Sequence, residues 1–307
     1  MRNDRRKRSH GRLHLLLAAS VLAAFCWGVG NSAEIGGDAA DRMLIDCGSL
    51  ETRLGNDNLR VLDIRPEMEH RSGHIPGALA VPLGEWKQLA QQPGALHDAK
   101  AWSEKIGALG VANDSEVVVY GGPLSEAARL WWMLTYFGLE HVRLLDGDWN
   151  TWTREGRPVE TEAAGVRPAK FVPNLQDERL AEIDQVKQWL DDATVQILDS
   201  RTRGEYTGEA GPPGNPRGGH LPGVLHFNWE SLRAEDGRFK PPKELRAQYE
   251  ALGVKRDRTV VTYCQSGGRA AAQAFALELA GFGKARNYYC SFGQWSSDEE
   301  APLVEGE

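Results

Sequence analysis

The feature that most constrains the fold of this 307-residue chain is an internal repeat. Three short motifs occur twice, in the same order and at separations of 136 to 146 residues. The pairs are VLDIR at 61–65 with ILDSR at 197–201, GHIPG at 73–77 with GHLPG at 219–223, and VVVY at 117–120 with VVTY at 260–263. Such a period is far too long for a solenoid. It predicts a duplicated domain, with the first copy at 35–160 and the second at 172–307. The proline-containing stretch 155–173 is the predicted linker.

Each copy has the pattern of an α/β domain. Short apolar runs that end in polar residues are typical of buried parallel strands. These runs lie at 61–64, 117–120, 197–199 and 259–263. In both copies the later run is followed by a turn and a helical pattern, at 125–137 and at 269–279. Ligands of α/β folds bind at the carboxyl ends of strands, so these turns are the candidate sites.

The N-terminus predicts export. Residues 1–33 comprise a basic segment, an apolar run from Leu13 to Val29, and small or polar residues up to Ala33. This is the arrangement of a secretory signal, for which we expect cleavage after Ala33. An uncleaved membrane anchor is the alternative, because the apolar run is just long enough to span a bilayer. Either reading predicts a periplasmic or other extracytoplasmic protein, with no membrane contact beyond this segment.

Composition and charge narrow the class of partner. Apolar residues make up 41% and charged residues 26% of the chain, as in ordinary soluble globular proteins. The formal net charge is -7, although residues 1–33 hold six basic residues against one acidic residue. The remainder is therefore more acidic than the total indicates. An acidic body argues against nucleic acid as a partner, since phosphate binding needs a basic face.

The cysteines indicate a reactive thiol. Of Cys26, Cys47, Cys264 and Cys290, signal cleavage would leave three. An odd number at wide spacings fits neither a disulfide framework nor a zinc site. A disulfide between Cys47 and Cys290 is an alternative that an oxidising compartment would permit and that the sequence does not decide. We expect no metal and no cofactor.

The histidines of the repeated turns have the pattern of structural residues. His74 and His220 each lie in a Gly-His-x-Pro-Gly turn. The first copy keeps this turn although it has no cysteine after its later apolar run, where the second copy has Cys264. We therefore predict a structural role for both. His70 and His74 have a spacing that metal sites use, but no third ligand is near them in the sequence.

The loop at 264–269 is the candidate active site. Cys264 follows an apolar strand directly and is succeeded by Gln265, Ser266, Gly267, Gly268 and Arg269, where the helical pattern begins. Two glycines permit a turn that points backbone N–H groups inward, and a helix N-terminus lies behind them. Both features stabilise a thiolate. The loop therefore predicts a nucleophilic cysteine in an anion cradle.

The Asp-x-Arg strand ends, the Gly-His-Ile/Leu-Pro-Gly turns and the Cys-x4-Arg loop together resemble tandem rhodanese-type sulfurtransferases. The resemblance covers about 45–300. It implies an α/β fold with a mostly parallel five-stranded sheet and helices on both faces in each domain. It also implies that Cys264 accepts a sulfane sulfur as a persulfide, which cyanide or a thiol then removes. The donor would be a small anion, thiosulfate or 3-mercaptopyruvate.

The first copy departs from the family pattern. Gly121 stands 143 residues before Cys264, at the equivalent position, and the loop 121–125 contains no cysteine. We therefore predict that this half is catalytically silent and closes over the active cleft of the other. The apolar helix face that includes Trp131 is predicted to belong to the core and in part to the interface between the halves.

Two residues outside the loop bear on the substrate. By the resemblance, Arg201 lies near the loop and binds the anionic donor; an ion pair with Asp199 is the alternative. Glu205 stands where mercaptopyruvate-using relatives tend to carry an arginine, which favours thiosulfate. The Gln265-Ser266-Gly267 segment points the other way, because it looks closer to mercaptopyruvate users.

Two other functions remain open. A sulfur-relay or binding module would keep the fold without turnover. A cysteine phosphatase is the more distant alternative, because relatives of this fold that cleave phosphate carry Cys-x5-Arg. Only four residues separate Cys264 from Arg269. The shorter loop makes a tighter cradle, which suits one sulfur atom better than a tetrahedral phosphate.

Overall fold

The computed structural model describes residues 39–211 and 215–306. The predicted export signal at 1–33, with Cys26, lies outside the described residues. Within the described ranges, no helix combines the length and the apolar character needed to cross a bilayer.

The first half is built on a five-stranded sheet. Its strands are β1 (Leu44–Asp46), β2 (Leu59–Asp63), β3 (Leu79–Ala80), β4 (Glu116–Tyr120) and β5 (Val142–Asp146). They lie in the order β1-β5-β4-β2-β3, and every pairing is parallel. The helices of this half are α1 (Cys47–Glu51), α2 (Glu67–Ser72), α3 (Leu83–Ala90), α4 (Ala99–Ala108), α5 (Leu124–Tyr136) and α6 (Asp148–Arg154).

The second half repeats this topology. Its strands are β6 (Leu180–Ala181), β7 (Val195–Asp199), β8 (Leu225–His226), β9 (Thr259–Tyr263) and β10 (Arg286–Tyr288). Their order, β6-β10-β9-β7-β8, is again parallel throughout. The helices are α7 (Ile183–Trp189), α8 (Arg203–Thr207), α9 (Pro242–Leu252), α10 (Gly268–Leu279) and α11 (Ser291–Trp295).

Both faces of each sheet are covered, as the apolar runs predict. In β4, Val117 and Val119 pack into one buried cluster, whereas Val118 and Tyr120 pack into another that contains Trp152. Successive side chains of a strand point to opposite faces, so an unbroken apolar run requires helices on both sides. The predicted α/β fold of two five-stranded domains is confirmed, and the sheets are parallel throughout instead of mostly parallel.

The two halves share one core. Helices α5 and α10 follow equivalent strands, and nearly every residue of both is buried. A helix that is buried on nearly all sides must be covered by other elements, and these two helices pack against each other. The ring of Trp131 on α5 meets Phe275 on α10 edge-on, at 4.9 Å between centroids. One cluster of buried apolar side chains therefore runs from the first half into the second.

The segments flanking the domains are anchored. The predicted linker has no helix but packs on the first half, where Phe171 is buried and the Ala169 N–H donates to the Gly107 carbonyl at 2.9 Å. The acidic tail from Asp298 is not simply a solvated end, as its composition suggests. The backbones of Val304 and His220 exchange two hydrogen bonds of 2.8 and 2.9 Å, which close the repeated turn of the second half.

Candidate active site

Cys264 lies between the end of β9 and the start of α10, in the position that the sequence predicts. Its side chain is almost fully buried. The Gly267 N–H donates to Cys264 Sγ at 3.1 Å, and the first turn of α10 begins one residue later. A backbone donor and a helix N-terminus both favour negative charge on the sulfur.

Gly267 is required by its conformation and its surroundings. Its φ of 88° lies in the left-handed region, and a Cβ there would come within 2.5 Å of the Tyr289 carbonyl oxygen. Any side chain would therefore be strained and would push the loop away from β10. The glycine lets the backbone come close enough for its N–H to reach the sulfur.

Ser291, the first residue of α11, supports the cysteine from the segment that follows β10. Its hydroxyl accepts the Cys264 N–H at 3.1 Å, donates to the Tyr288 carbonyl at 2.7 Å and lies 3.9 Å from Sγ. Ser291 has a φ of 56°, which is unusual for a residue with a side chain and is a strained conformation. Ser291 is not among the site residues predicted from the sequence. Comparison of the two copies could have found it, because Asp148 occupies the same position in the first half.

Arg269 closes the loop and is paired with Glu205. Two hydrogen bonds, of 2.6 and 2.8 Å, join its guanidinium to the Glu205 carboxylate. Burial opposes the charge of Arg269, but the bonds to Glu205 and the nearby Cys264 side chain outweigh it and raise the pKa of Arg269. Burial alone would likewise raise the pKa of Glu205, yet Arg269 and Thr202 lower it to about 2. Both groups are charged at neutral pH.

The remaining loop residues have two different roles. The Gln265 side chain exchanges hydrogen bonds of 2.9 and 3.3 Å with Asn215, so its amide is held beside the loop. Ser266 contributes its carbonyl oxygen to hydrogen bonds with the first half. Gly267 donates its N–H to the sulfur and the Arg269 side chain lies near Cys264, whereas Gly268 is the first residue of α10.

Arg201 does not join this group. Its side chain is 1% exposed and binds both carboxylate oxygens of Asp199, with the shortest distance at 2.6 Å, and the Gly219 carbonyl at 2.8 Å. Phe292 covers the guanidinium at 3.8 Å. With Nε and Nη2 engaged and its surface buried, Arg201 has the geometry of the ion pair that the sequence left as the alternative. This geometry does not support a direct role in donor binding.

The first half, called the silent half below because its loop 121–125 contains no cysteine, contacts the site with two side chains. Arg129 on α5 donates to the Ser266 carbonyl at 2.6 Å and to the Tyr289 hydroxyl at 3.0 Å. Gln91, just after α3, donates to the Ser266 carbonyl at 3.2 Å. These hydrogen bonds join the half that is predicted to close over the cleft to the cysteine loop. The sequence signal for Arg129 is a lone arginine within the apolar helix 124–136.

The equivalent loop of the silent half is built differently. Gly121 has a φ of 96°, and its N–H donates to the Asp148 carboxylate at 2.5 Å. Burial raises the pKa of Asp148. The equivalent N–H of the other half, that of Cys264, instead donates to the Ser291 hydroxyl at 3.1 Å. Asp148 stands where the catalytic half has the uncharged Ser291.

The repeated histidines lie at turns away from the cysteine loop. His74 Nδ1 contacts the His70 carbonyl and His220 Nδ1 contacts the Tyr206 carbonyl, both at 2.8 Å. Each ring also stacks on its neighbour, His70 or Tyr206, at less than 4 Å between centroids. The geometry in both halves is that of a structural turn.

The other described cysteines are free thiols. Cys47 is buried in the core of the silent half, and burial is the main cause that raises its pKa to about 11. Burial also raises the pKa of Cys290. High thiol pKa values make both residues poor nucleophiles at neutral pH.

Comparison with known proteins identifies the repeated unit. The Rhodanese-like domain model matches residues 46–155 and again 182–298. The chain is 32% identical over 251 residues to the thiosulfate sulfurtransferase of Bos taurus, covering 77% of this chain and 84% of the relative. It is 32% identical over 282 residues to a probable 3-mercaptopyruvate sulfurtransferase of Pseudomonas aeruginosa, covering 86% and 98%.

A further relative and a solved structure extend the comparison. The chain is 31% identical over 287 residues to the sulfur carrier protein TtuD of Thermus thermophilus, covering 88% of this chain and 99% of the relative. The anaerobic ergothioneine biosynthesis enzyme from Chlorobium limicola superposes with a TM-score of 0.78 at 22% identity, over 88% of this chain and 71% of that one. At this identity the structural match supports the fold alone.

Proposed function

The chain belongs to the rhodanese-like family of sulfurtransferases, and on this premise we propose that it carries sulfane sulfur as a persulfide on Cys264. The proposed donor is thiosulfate, and the proposed acceptor is cyanide or a thiol. The observation that carries the proposal is the Gly267 N–H at 3.1 Å from Sγ, at the start of α10. This environment favours a thiolate and can equally stabilise the terminal sulfur of a persulfide anion.

The reaction divides into two displacements. The Cys264 thiolate attacks the outer sulfur of thiosulfate, a new S–S bond forms, and sulfite leaves with the electron pair of the broken bond. Cyanide then attacks the terminal sulfur of the persulfide. Thiocyanate leaves and the Cys264 thiolate is restored, so no external oxidant or reductant is consumed. Splitting the transfer in this way is nucleophilic covalent catalysis.

The pairing of Glu205 with Arg269 favours thiosulfate over 3-mercaptopyruvate. A carboxylate substrate binds best to a guanidinium with two parallel donors free. In Arg269 those donors are held by Glu205 at 2.6 and 2.8 Å. The sulfonate group of thiosulfate can instead use backbone N–H groups of the loop, which need no free arginine fork.

The second candidate is a sulfur relay that loads Cys264 but turns over only with a protein partner. The similarity to a relative named a sulfur carrier protein favours keeping it. Both candidates use the same persulfide, so turnover with cyanide separates them. A phosphatase would instead release phosphate from a phosphoester and would gain no sulfur.

Peptide mass spectrometry after treatment of the full-length protein tests both the identity of the donor and the formation of a persulfide. The protein is incubated with thiosulfate or with 3-mercaptopyruvate, and the peptide containing Cys264 is then analysed. We expect a gain of one sulfur atom with thiosulfate and less with 3-mercaptopyruvate. Steady release of thiocyanate after cyanide is added supports the enzyme, whereas loading without turnover supports the relay. No sulfur gain with either donor contradicts both.

Replacement of the nucleophile is the matching genetic test. We expect Cys264→Ser to reduce thiosulfate:cyanide turnover below a few per cent of the native rate while the fold is kept. Serine is close in size to cysteine, but its oxygen cannot form a persulfide. Cys290→Ser is the control and is expected to keep turnover near the native rate. Substantial activity in Cys264→Ser would rule out Cys264 as the sulfur carrier.

We further propose that residues 1–33 direct export and that the mature protein is periplasmic or otherwise extracytoplasmic. The support is the order of basic, apolar and small residues in the sequence. Cell fractionation with N-terminal sequencing of the recovered protein tests it. A soluble exported form that begins at Glu34 supports cleavage, and a membrane-bound form that retains the apolar run supports the anchor. A protein recovered only from the cytoplasm contradicts export.

A further inference from the structure

The peptide unit between Ser266 and Gly267 is held at both ends. Its carbonyl oxygen accepts hydrogen bonds from Arg129 Nη1 at 2.6 Å and from Gln91 Nε2 at 3.2 Å. Its N–H donates to Cys264 Sγ at 3.1 Å. A trans peptide is planar, with its carbonyl and N–H pointing in opposite directions. Whatever fixes the Ser266 carbonyl therefore also aims the Gly267 N–H at the sulfur.

Both groups that hold the carbonyl come from the silent half. Arg129 is buried, and its orientation is fixed by Glu126 at 2.9 Å and by the Tyr289 hydroxyl at 3.0 Å. A hydrogen bond from a charged donor is stronger than a neutral one. It also polarises the peptide, so that the opposite N–H becomes a better donor to a thiolate.

The two halves are in close contact at Arg129. A Cβ on Gly268 would come within 2.5 Å of Arg129 Nη2, so the guanidinium lies directly against the first residue of α10. Gln91 binds the neighbouring Tyr289 carbonyl as well, at 3.3 Å. The silent half thus forms hydrogen bonds both to the cysteine loop and to the segment after β10 that packs against this loop.

We propose that Arg129, assisted by Gln91, is a positioning residue through which the catalytically silent half sets the reactivity of Cys264. The pair holds the Ser266–Gly267 peptide so that its N–H stays on the sulfur of the thiolate and of the persulfide. The persulfide part of this statement rests on the proposed function. The thiolate part does not, because thiol reactivity can be measured without any sulfur donor.

The effect of Arg129 on Cys264 can be separated from the effects of the other polar groups around the cysteine. Arg269 faces Cys264 from α10 and is neutralised by Glu205, and Ser291 faces it from α11 without charge. Arg129 is itself paired with Glu126. Replacing Arg129 or Gln91 leaves Arg269, Glu205 and Ser291 in place, so the change measured belongs to the peptide contact.

The test is the rate at which iodoacetamide alkylates Cys264 between pH 5 and pH 10, in the full-length chain. Peptide mass spectrometry separates Cys264 from Cys47 and Cys290. The variants are Arg129→Met, Arg129→Lys and Gln91→Ala. The control is Arg238→Met, because Arg238 also crosses between the halves, to Asp146 at 3.4 Å, at a place removed from the cysteine loop.

For Arg129→Met we expect alkylation at neutral pH to slow about tenfold, with the half-maximal rate reached about one pH unit higher, as for loss of one strong hydrogen bond to an ionised group. Arg129→Lys is expected to recover part of this loss because it keeps a charged donor. Gln91→Ala is expected to slow alkylation by a smaller factor. Arg238→Met is expected to match the native chain.

An unchanged pH profile in folded Arg129→Met overturns the proposal, and so does an equal shift in Arg238→Met, which would indicate a general effect of the interface. If Arg129→Met does not fold, Gln91→Ala decides, since it removes a neutral, half-buried side chain. An unchanged profile in Gln91→Ala then overturns the proposal. Failure to load sulfur from thiosulfate would count against the proposed function and leave these alkylation results standing.

Discussion

Arg201 and Arg65 make the same contacts in the two halves of the molecule. Each binds the aspartate two residues before it with a shortest distance of 2.6 Å, and each donates to a turn carbonyl at 2.8 Å. The silent half has no cysteine in its loop, yet it keeps this cluster. The sequence could place an arginine after each strand end but could not show its burial, which is what decides between ion pairing and substrate binding.

We therefore expect Arg201→Met and Arg65→Met to act alike, by lowering the free energy of unfolding. Breaking a buried ion pair by removing one partner costs about 3–5 kcal/mol, because the other charge is left uncompensated. Denaturant unfolding measures the loss, and the KM for thiosulfate is determined on the fraction that folds. A raised KM in Arg201→Met alone, with little loss of stability, would instead place Arg201 in the donor site.

Glu205 makes stability depend on pH. Its pKa is lowered to about 2 in the folded protein, against about 4.3 in an unfolded chain. A group with a depressed folded pKa stabilises the fold above its unfolded pKa and loses that contribution as the pH falls toward the folded value. We expect Glu205→Gln to remove part of the stability loss seen between about pH 4.5 and pH 2. Identical acid unfolding curves for native protein and variant would contradict this.

At the scale of elements, one strand–turn–helix unit has been used in two ways. β9 is followed by Cys264 and α10, whereas β4 is followed by Gly121 and α5. The sequence predicted that the turn after β4 lacks the nucleophile, and Pro123 in that turn has no N–H to donate. The structure adds a stronger reason. A Cβ at Gly121 would lie 2.6 Å from the Arg65 side chain, and its φ of 96° already disfavours any side chain.

We expect Gly121→Cys to destabilise the protein without creating a second sulfur-binding site. Gly77→Cys is the matched control, because Gly77 also has a positive φ of 75° but has no atom within 4 Å of an added Cβ. The control should lose about 1–2 kcal/mol from backbone strain alone, and Gly121→Cys should lose more. Both are made in a Cys264→Ala background and treated with thiosulfate. A persulfide on residue 121 would contradict the prediction.

The sequence predicted elements well and cross-half contacts poorly, for a physical reason. Strand, turn and helix at 259–279 leave a local pattern of apolar runs and glycines, so this site could be located from the sequence. Arg129 and Gln91 act on residues more than a hundred positions away, and only tertiary packing brings them there. Ser291 falls between these cases, because comparison of the copies gives its position but not its contact with Cys264.

At the scale of the whole molecule, the shared core predicts that the halves unfold together. Phe275 is fully buried between Trp131, at 4.9 Å, and Phe239, at 4.7 Å. We expect one unfolding transition that is the same by tryptophan fluorescence and by circular dichroism. Phe275→Ala should lower the free energy of unfolding by about 3–5 kcal/mol. Two separated transitions in the native chain would show that the halves are independent.

The Ser266–Gly267 peptide also lets the state of Cys264 affect the contact between the two halves. Thermodynamic coupling is reciprocal. If the contact with the silent half stabilises the charged sulfur, the charged sulfur stabilises the contact between the halves by the same free energy. Protonating, loading or alkylating Cys264 should then change how firmly Arg129 and α5 are held. The half whose loop lacks a cysteine would in this way register the state of Cys264 in the other half, and hydrogen exchange along α5 would measure this change.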